Sequence, residues 1–377
     1  MPSGVGATTL VNDPRASGVQ FAPDPAAFFE LTEKNAYTAF TFGTPGSGST
    51  ERKQIPQSGI LSKLRVVFEG VLTTVDGTGA VTTTSRWPYG LMDRVTLAAN
   101  AQNDLVSCNG SDLHALRAVR HPGFIPNDGV DLIPDGSGPA VAITEGANPV
   151  VLSWEIPIAI DDTSLIGALY AQSPSMNLDL AIREAVTADL LALTGTATAV
   201  ITGTWYVQVT SFDIPLGGGD APRLIVPDLS RLHGINAFEQ PYSNTGEVQT
   251  NLIRVNGQLD RLLVQASKAS PDGVATQQFL GWTADLDQVT AARIEYGASQ
   301  RPLNYDPAHF LAMENLDNYA DELPDKFMAF DFLAENAPRD VVLMPGVTDL
   351  KAVLTIGSGV TVAAGASVRV VQETLFA

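Results

Sequence analysis

The sequence is poor in cysteine, in histidine and in positive charge. One cysteine and four histidines among 377 residues exclude an internal disulfide and leave no cluster of soft metal ligands. The 22 basic residues are outnumbered by 41 acidic ones, which gives a net charge of −19. Because phosphates and anionic lipids are held by basic surfaces, this balance argues against direct nucleic-acid binding and against electrostatic attachment to a membrane.

Motifs that carry catalysis are also missing. The histidines His114, His121, His233 and His309 are scattered, without the His-x-His or His-Glu-x-x-His spacing of a metal site. No nucleophile elbow, dinucleotide fingerprint or P-loop occurs, and the three glycines at 217–219 precede no predicted helix. We therefore predict no catalytic, metal-binding or cofactor-binding residues, no cofactor, and a protein that is not an enzyme.

Two pairs of carboxylates come closest to a chemical site. Asp285 and Asp287 alternate, so they share one face of a strand or lie together in a turn, where they would suit a calcium ion or acid–base catalysis. The plainer interpretation is a solvated surface. Asp161 and Asp162 are followed by Thr163 and a serine, a pattern typical of a turn or a helix cap.

Aromatic residues are few, and their positions favour a structural role. The single cysteine, Cys108, is interpreted as a small core residue. Six aromatic residues would suit a sugar-binding site if they were exposed, but they lie in predicted strands or at strand entries, which favours core packing: Trp87, Tyr89, Trp154, Trp205, Tyr206 and Trp282.

The sequence has no long apolar run. Its longest uncharged stretch, residues 190–212, has the length of a membrane span. It holds six threonines and two glycines, however, and alternates small with β-branched residues. We therefore predict a β-hairpin in this stretch. The first six residues show no basic or apolar export signal.

One stretch of the chain occurs twice. Residues 94–116 read as a strand, a polar turn, a short strand and the capped start of a helix, and residues 293–313 repeat this order of physical types. Arg94 matches Arg293 at a separation of 199 residues, and Ala115 matches Ala312 at 197. A repeat of this length indicates that the chain contains two copies of one structural unit.

Further matches extend the predicted duplication over most of the chain. Residues 61–67 resemble residues 257–263, and each half ends in a segment rich in threonine, glycine and alanine before a last strand. The glycines of these two segments match at a separation of 162, which leaves about 35 extra residues in the first half: Gly195 with Gly357, and Gly203 with Gly365. We place the extra residues in a long loop at 121–145, rich in proline, glycine and aspartate.

The pattern of elements predicts an all-β protein. The 33 glycines and 24 prolines favour many strands and turns, and a closing strand that comes last in each half is compatible with a Greek-key jelly roll. We predict two tandem jelly-roll β-sandwiches, a double jelly roll, with a few short helices. The predicted units are an N-terminal arm and short helix (1–50), a first jelly roll (51–216), a linker (217–225) and a second jelly roll (226–377).

Several local predictions can be compared directly with a structure. Helices are predicted at residues 24–34, 112–119 and 307–318, with a helical turn at 226–233. The helix at 24–34 either tethers the chain to a neighbouring subunit or surface or packs on its own domain. Residues 40–50 are predicted as a loop and residues 279–286 as a strand.

Residues 87–97, Trp-Pro-Tyr-Gly-Leu-Met-Asp-Arg-Val-Thr-Leu, followed by Asp112 and Leu113, resemble the first-domain pattern of a known family. That family is the double jelly-roll major capsid proteins of tailless bacteriophages with an internal membrane, the tectivirus-like group. The resemblance covers residues 59–377 and includes the tandem jelly rolls, the helix after an early strand pair and the small N-terminal helix.

The resemblance implies a structural role in an icosahedral virion shell. Three chains would form a homotrimer, a capsomer of six jelly rolls with a pseudo-hexagonal outline, assembled in the host cytoplasm. Its partners would be neighbouring capsomers and the penton and minor capsid proteins. The N-terminal helix would face inward, toward neighbours or an internal membrane, and the 121–145 loop outward. No direct nucleic-acid binding is expected.

Two other functions are compatible with a β-sandwich chain. A carbohydrate-active or carbohydrate-binding protein would need a cleft with paired carboxylates, such as Asp285 and Asp287, beside exposed aromatic residues. A tail or fibre adhesin would form an elongated particle.

Overall fold

The structure is a computed structural model that describes residues 26–376, apart from 45, 101–102, 122–140, 215–226, 298–299, 320–321, 335–340, 346 and 348. The predicted N-terminal arm, most of the 121–145 loop and all of the predicted linker, with the glycines at 217–219, lie outside the described residues. The predicted helix at 24–34 is shorter in the structure, where it ends before the first strand.

The first half of the chain consists mainly of strands. In order its elements are α1 (Ala26–Leu31), β1 (Lys34–Gly43), β2 (Thr50–Gln54), β3 (Ile60–Val75), β4 (Val81–Thr83), β5 (Met92–Ala99), β6 (Asn103–Cys108), α2 (Gly110–Arg120), β7 (Gly146–Pro157), β8 (Leu169–Tyr170), β9 (Leu178–Glu184), α3 (Thr187–Leu190), β10 (Leu191–Leu193) and β11 (Thr198–Phe212).

The second half repeats this composition with fewer residues. Its elements are β12 (Leu232–Pro241), β13 (Gly246–Asn251), β14 (Gly257–Ser267), β15 (Val289–Tyr296), β16 (Gln300–Tyr305), α4 (His309–Tyr319), β17 (Met328–Asp331), β18 (Val342–Leu343), β19 (Lys351–Ile356) and β20 (Ser367–Phe376).

The two halves have the same sheet topology. In the first half the strand orders are β1-β11-β3-β7 and β2-β9-β5-β6; in the second half they are β12-β20-β14-β17 and β13-β19-β15-β16. All neighbours within these four sets are antiparallel. In each sheet, the strand that comes last in the sequence lies between two strands that come earlier. Two four-stranded antiparallel sheets with this order form a jelly roll. The chain is therefore a double jelly roll, as the sequence predicted.

Alternating burial explains why the long strands form. In β3, Leu64, Val66 and Phe68 are buried, whereas the residues between them are more exposed. The paired strand β11 brings Trp205 against Phe68, with ring centroids 5.0 Å apart. One sheet face is therefore apolar and packs on the opposite sheet, as a period of two residues requires.

The strand boundaries and bulges of the two halves correspond to each other at a nearly constant separation in the sequence. β5 and β15 both have eight residues and start 197 residues apart (92 and 289), and β6 and β16 both have six (103 and 300). The same irregularities recur, because Ser62 and Asp260 are skipped in the pairing of β3 and β14 with the last strand. A β-bulge is a specific feature of a fold, so its recurrence supports a common origin of the two halves.

The sequence match of Arg94 with Arg293 is wrong by two residues. The structural counterpart of Arg293 is Thr96, since both are the fifth residue of their strand. A shift of two residues keeps every side chain on the same face of the sheet. For this reason the alternation of apolar residues did not reveal the error. The helices α2 and α4, by contrast, start 199 residues apart (110 and 309).

The first strand of each half was not predicted. β1 ends at Gly43, inside the predicted 40–50 loop, and β12 starts at Leu232, inside the predicted helical turn at 226–233. Segment 1–50 therefore contains a strand of the first jelly roll in addition to a helix, whereas the domain boundaries themselves stay predictions. Both strands are organised by pairing with a last strand, β11 or β20, that lies far along the chain.

Two further local predictions are wrong. Residues 190–212 do not form a hairpin: β10 pairs with β4, and β11 runs without interruption between β1 and β3. Residues 279–286 form bends and turns with isolated bridges at Phe279 and Trp282. In both segments the partner strands come from elsewhere in the sequence, and local propensity does not identify them.

Candidate functional site

The two jelly rolls are joined by a strand pair. β6, at the edge of its sheet in the first half, runs parallel to β12 of the second half, with Val106 beside Ile235 and Ser107 beside Asn236. Both apolar residues are at most 1% exposed. The pairing makes one continuous sheet from parts of both halves, so the junction is as ordered as the interior of either sheet.

A buried ion pair fixes the start of helix α2 against the second half. Asn109 and Asp112 form a capping box, with two reciprocal hydrogen bonds of 2.8 Å. The Asp112 carboxylate also accepts hydrogen bonds of 2.6 Å from Nε and Nη2 of Arg369 in β20. Burial works against the charge of Arg369, but the carboxylates of Asp112 and Glu239 outweigh it and raise its pKa above the ordinary value.

A second ionic cluster surrounds Glu373 at the other end of α2. Glu373 is fully buried. Its Oε1 accepts a hydrogen bond of 3.1 Å from Nε of Arg120 and lies 2.8 Å from Nε2 of His233, and its Oε2 accepts one of 3.2 Å from Arg261. Burial opposes the charge of Glu373, but Arg120 and Arg261 hold its pKa well below the ordinary value.

His233 completes this cluster as a neutral ring. Burial is the main effect on its imidazole and lowers its pKa, although Glu373 partly offsets it. Its Nε2 lies between Oε1 of Glu373 at 2.8 Å and Nη2 of Arg120 at 3.1 Å. Arg261 also forms a 3.1 Å ion pair with Asp331 of β17, which extends the cluster across the sheet of the second half.

Loops of the second half also contact the first half. Arg86 forms an ion pair of 2.6 Å with Asp272, and the amide of Gly273 donates to the carbonyl of Asp189 at 3.1 Å. A polar cavity of about 260 Å³ lies at this junction, and Arg86 and Arg369 in its wall are both paired with carboxylates. These contacts join the two jelly rolls through side chains and backbone groups of both halves.

The carboxylate pairs singled out in the sequence are not brought together with catalytic partners. Asp285 and Asp287 are exposed in a turn. Asp161 accepts hydrogen bonds from the amides of Thr163 and Ser164 at 2.7 and 2.6 Å, which confirms the predicted turn. Among the described residues, no group of three or more histidine, cysteine or acidic side chains is arranged to hold a metal ion.

The histidines and aromatic residues mainly serve packing. The ring of His114 stacks on Tyr89 at 3.5 Å between centroids, and burial lowers its pKa to about 3. Trp154 and Trp205 stack at 5.4 Å inside the first jelly roll. The four tryptophans are buried, so they offer no surface for a sugar ring. Cys108 is buried too, as predicted.

Sequence reasoning missed the residues of the junction. A detectable signal exists, since Glu373 interrupts the apolar strand β20 and Arg261 interrupts β14. Charged residues in buried strands are rare unless they are paired. The sequence does not identify their partner, however, because Arg120 is 253 residues away from Glu373.

The N-terminal helix α1 packs on its own domain, which confirms one of the two alternatives that its sequence allowed; a tether to a neighbouring subunit or surface stays a prediction. Phe28 is buried against Ile60, Leu165 and Phe212 of the first half, which attaches the helix to its own domain. On its other side Phe29 is exposed, and so is Leu31 at the end of the helix. None of the helices in the described part of the chain combines the length and apolar character needed to cross a membrane.

Comparison with known proteins identifies the fold. No family model and no curated protein matches the chain, but solved structures do. The major capsid protein of Sulfolobus Turreted Icosahedral Virus superposes with a TM-score of 0.64 at 16% identity, over 91% of this chain and 97% of that chain. The fold is the double jelly roll of viral major capsid proteins.

Other double jelly rolls superpose over similar lengths. The atomic structure of the same Sulfolobus virus contains a chain that matches with a TM-score of 0.66 at 15% identity, over 91% of this chain and 90% of that one. The crystal structure of VP54 of PBCV-1, fitted into a reconstruction of the virophage Sputnik, gives 0.57 at 13% identity, with 91% and 93% covered. Membership of the tectivirus-like bacteriophage group stays a prediction.

Proposed function

We propose that the chain is a major capsid protein, which assembles as a homotrimeric capsomer in the shell of an icosahedral virion. The observation that carries this proposal is the end-to-end duplication of one jelly-roll topology in a fold shared with viral major capsid proteins over nearly their whole length. Buried ion pairs among the described residues join the two halves and so support a building block that acts as one unit.

The duplication suits a six-sided building block. A chain with two similar jelly rolls presents similar side faces, so three chains related by a three-fold axis approximate six-fold packing. Six-sided blocks tile a closed shell together with five-sided ones. A rigid junction serves this role, because a hinge between the jelly rolls would let the capsomer lose its outline.

The partners follow from the same proposal. The capsomer would contact neighbouring capsomers and the penton and minor capsid proteins. As part of a bacterial virus, it would assemble in the cytoplasm of the host cell. Exposed Phe29 and Leu31 on α1 would face inward, toward neighbours or an internal membrane. The net charge of −19 would keep the shell protein away from the genome, which other proteins would contact.

Light scattering behind size exclusion tests the proposal. The expected particle contains three chains of 39.8 kDa, and electron micrographs of that peak are expected to show a hexagonal outline. A monomer at every protein concentration, or an elongated fibre, would contradict it. Replacing Asp285 and Asp287 by alanine is expected to leave the particle unchanged; loss of a glycan-directed activity with an intact oligomer would favour a carbohydrate-active protein.

A further inference from the structure

Each jelly roll has four sheet edges, and among the described residues one edge of the first half, β6, pairs with one edge of the second half, β12. The counterpart of β6 is β16, and the counterpart of β12 is β1. Among the described residues, β16 pairs only with β15, and β1 pairs only with β11.

The free edge of β1 has the composition of a covered strand. Residues 35–43 carry no charged side chain and no proline, two of the features that normally protect an edge strand exposed to water. The third, a bulge, is present between Thr38 and Phe40, after the stretch that contains Ala36 and Tyr37. The amide of Asp213 donates to the carbonyl of Glu33. Since backbone groups alternate along an antiparallel strand, the amides of Ala36 and Thr38 point away from β11, toward the free edge.

The register of this edge follows from the duplication. Ile235, Glu373 and Arg261 form one row across the second half, and Arg261 directly follows the bulge at Asp260. In the first half, Ala36 pairs with Thr210, and Thr210 pairs with Lys63. Lys63 directly follows the bulge at Ser62, so this row matches the row of the second half. Ala36 is therefore the counterpart of Ile235, the residue that lies beside Val106 inside the chain.

The second half offers the surface that would complete the contact. Leu303 and Asn304 of β16 are the counterparts of Val106 and Ser107 of β6, because they hold the fourth and fifth positions of strands of equal length. Val106 is buried by β12, but Leu303 is only partly buried and Asn304 is exposed.

Helix α4 carries an apolar stripe beside this edge. Phe310, Met313 and Leu316 follow one another at intervals of three residues and are 57%, 53% and 41% exposed, so they lie on one side of the helix. The counterpart helix α2 is buried along most of its length, and it contacts the 3-10 turn Pro324–Lys326 of the second half. The stripe therefore marks the place where α4 lacks the cover that α2 has.

We propose that the β16 edge and the α4 stripe of one copy dock on the β1 edge of a second copy, and so repeat the β6–β12 junction between chains. Leu303 then lies beside Ala36 of the other copy, and Asn304 beside Tyr37, in parallel strands. The inference rests on the proposed trimeric capsomer and deepens it, because three such contacts alternate with three internal junctions around a closed ring.

This contact differs from the internal junction in its charges. The row that holds Glu373 and Arg261 in the second half holds Thr210 and Lys63 in the first, so the buried acid has no counterpart there. The contact between copies therefore relies on strand pairing and on the apolar stripe.

A disulfide between copies tests the register. Neighbouring strands lie about 4.8 Å apart, within the Cα separation of about 4.4–6.8 Å that a disulfide spans. The double variant Ala36→Cys with Leu303→Cys is oxidised and run on a non-reducing gel, where covalent dimers and trimers are expected. The matched control is Ala36→Cys with Gln249→Cys, because exposed Gln249 lies in β13, at the opposite edge of the β16 sheet.

The outcomes separate this inference from the proposed function. Both the proposed contact and the proposed function are supported if light scattering shows a trimer and the variant Ala36→Cys with Leu303→Cys cross-links. The control and the variants with either substitution alone must then show no cross-link. A trimer that does not cross-link, or that cross-links equally in the control, overturns the proposed contact and leaves the capsomer standing. A protein that stays monomeric at every concentration overturns both.

Discussion

Asp112 and Arg369 lie 257 residues apart in the sequence and are joined by two hydrogen bonds of 2.6 Å. Asp112 caps the first turn of α2 in the first jelly roll, and Arg369 comes from the last strand of the second. The same carboxylate therefore starts a helix and joins the two halves. Because it is fully buried, removing its partner leaves a charge without compensation.

Replacing Arg369 by leucine is expected to lower the free energy of unfolding by about 3 kcal/mol, since breaking one side of a buried ion pair costs about that much. Chemical denaturation at a fixed protein concentration measures the change. The control is Lys53→Leu, which removes a solvent-exposed pair with Glu51 and is expected to cost less than about 1 kcal/mol. Equal effects of the two variants would mean that Arg369 does not stabilise the junction.

Gly203 is required by the close pairing of β11 with β3. A Cβ at this position would lie 2.6 Å from the carbonyl oxygen of Glu69 and 2.7 Å from Cα of Gly70, and neither backbone atom can move freely. The variant Gly203→Ala is therefore expected to lower the free energy of unfolding by about 1–3 kcal/mol. Gly43→Ala in β1 is the control, because a Cβ there meets nothing within 4 Å. A similar loss of unfolding free energy in the two variants would show that close packing at Gly203 is not the cause.

Glu184 makes stability depend on pH. Burial raises the pKa of its carboxyl from 4.5 to about 7, and a hydrogen bond with Trp205 offsets this only in part. Between these two values the folded protein binds more protons than the unfolded chain, so the contribution of Glu184 is fully present below pH 4.5 and falls as the pH rises through 7.

The variant Glu184→Gln removes this dependence. Relative to the parent protein, it is expected to gain about 2 kcal/mol in free energy of unfolding at pH 8 and almost nothing at pH 4. Denaturation curves at both pH values measure the difference. Glu33→Gln, at an exposed position, controls for the loss of one negative charge. A gain of equal size at both pH values would show that titration of Glu184 is not the cause.

Met313→Asp is expected to weaken the oligomer and to leave the monomer folded, because Met313 is about half exposed and, in the proposed contact, is covered by the second copy. Light scattering across a dilution series reports the oligomer, and circular dichroism reports the fold. Leu286→Asp is the matched control, since Leu286 is equally apolar and exposed but lies in a turn away from β16 and α4. An unchanged oligomer in Met313→Asp would count against the α4 stripe as an interface.

Much of the fold could be predicted from local patterns in the sequence. Both copies of the strand, turn, short strand and helix were predicted, because alternating apolar residues and capping residues act within a few positions of one another. The capping aspartate Asp112 was placed at a helix start on this basis. β1 escaped prediction because none of its residues is fully buried, and β12 because its buried residues are confined to 233–235; strands of this kind are decided by their partner strands.

The sequence by itself determined that this chain is a duplicated all-β protein, since periodicity, turn residues and the repeat are local properties of the chain. Only the tertiary structure decided how the copies meet. The parallel pairing of Val106 with Ile235 and the burial of Glu373 among Arg120, His233 and Arg261 both depend on residues more than 100 positions apart. Such contacts are selected by the packing of whole sheets, and no local pattern specifies them.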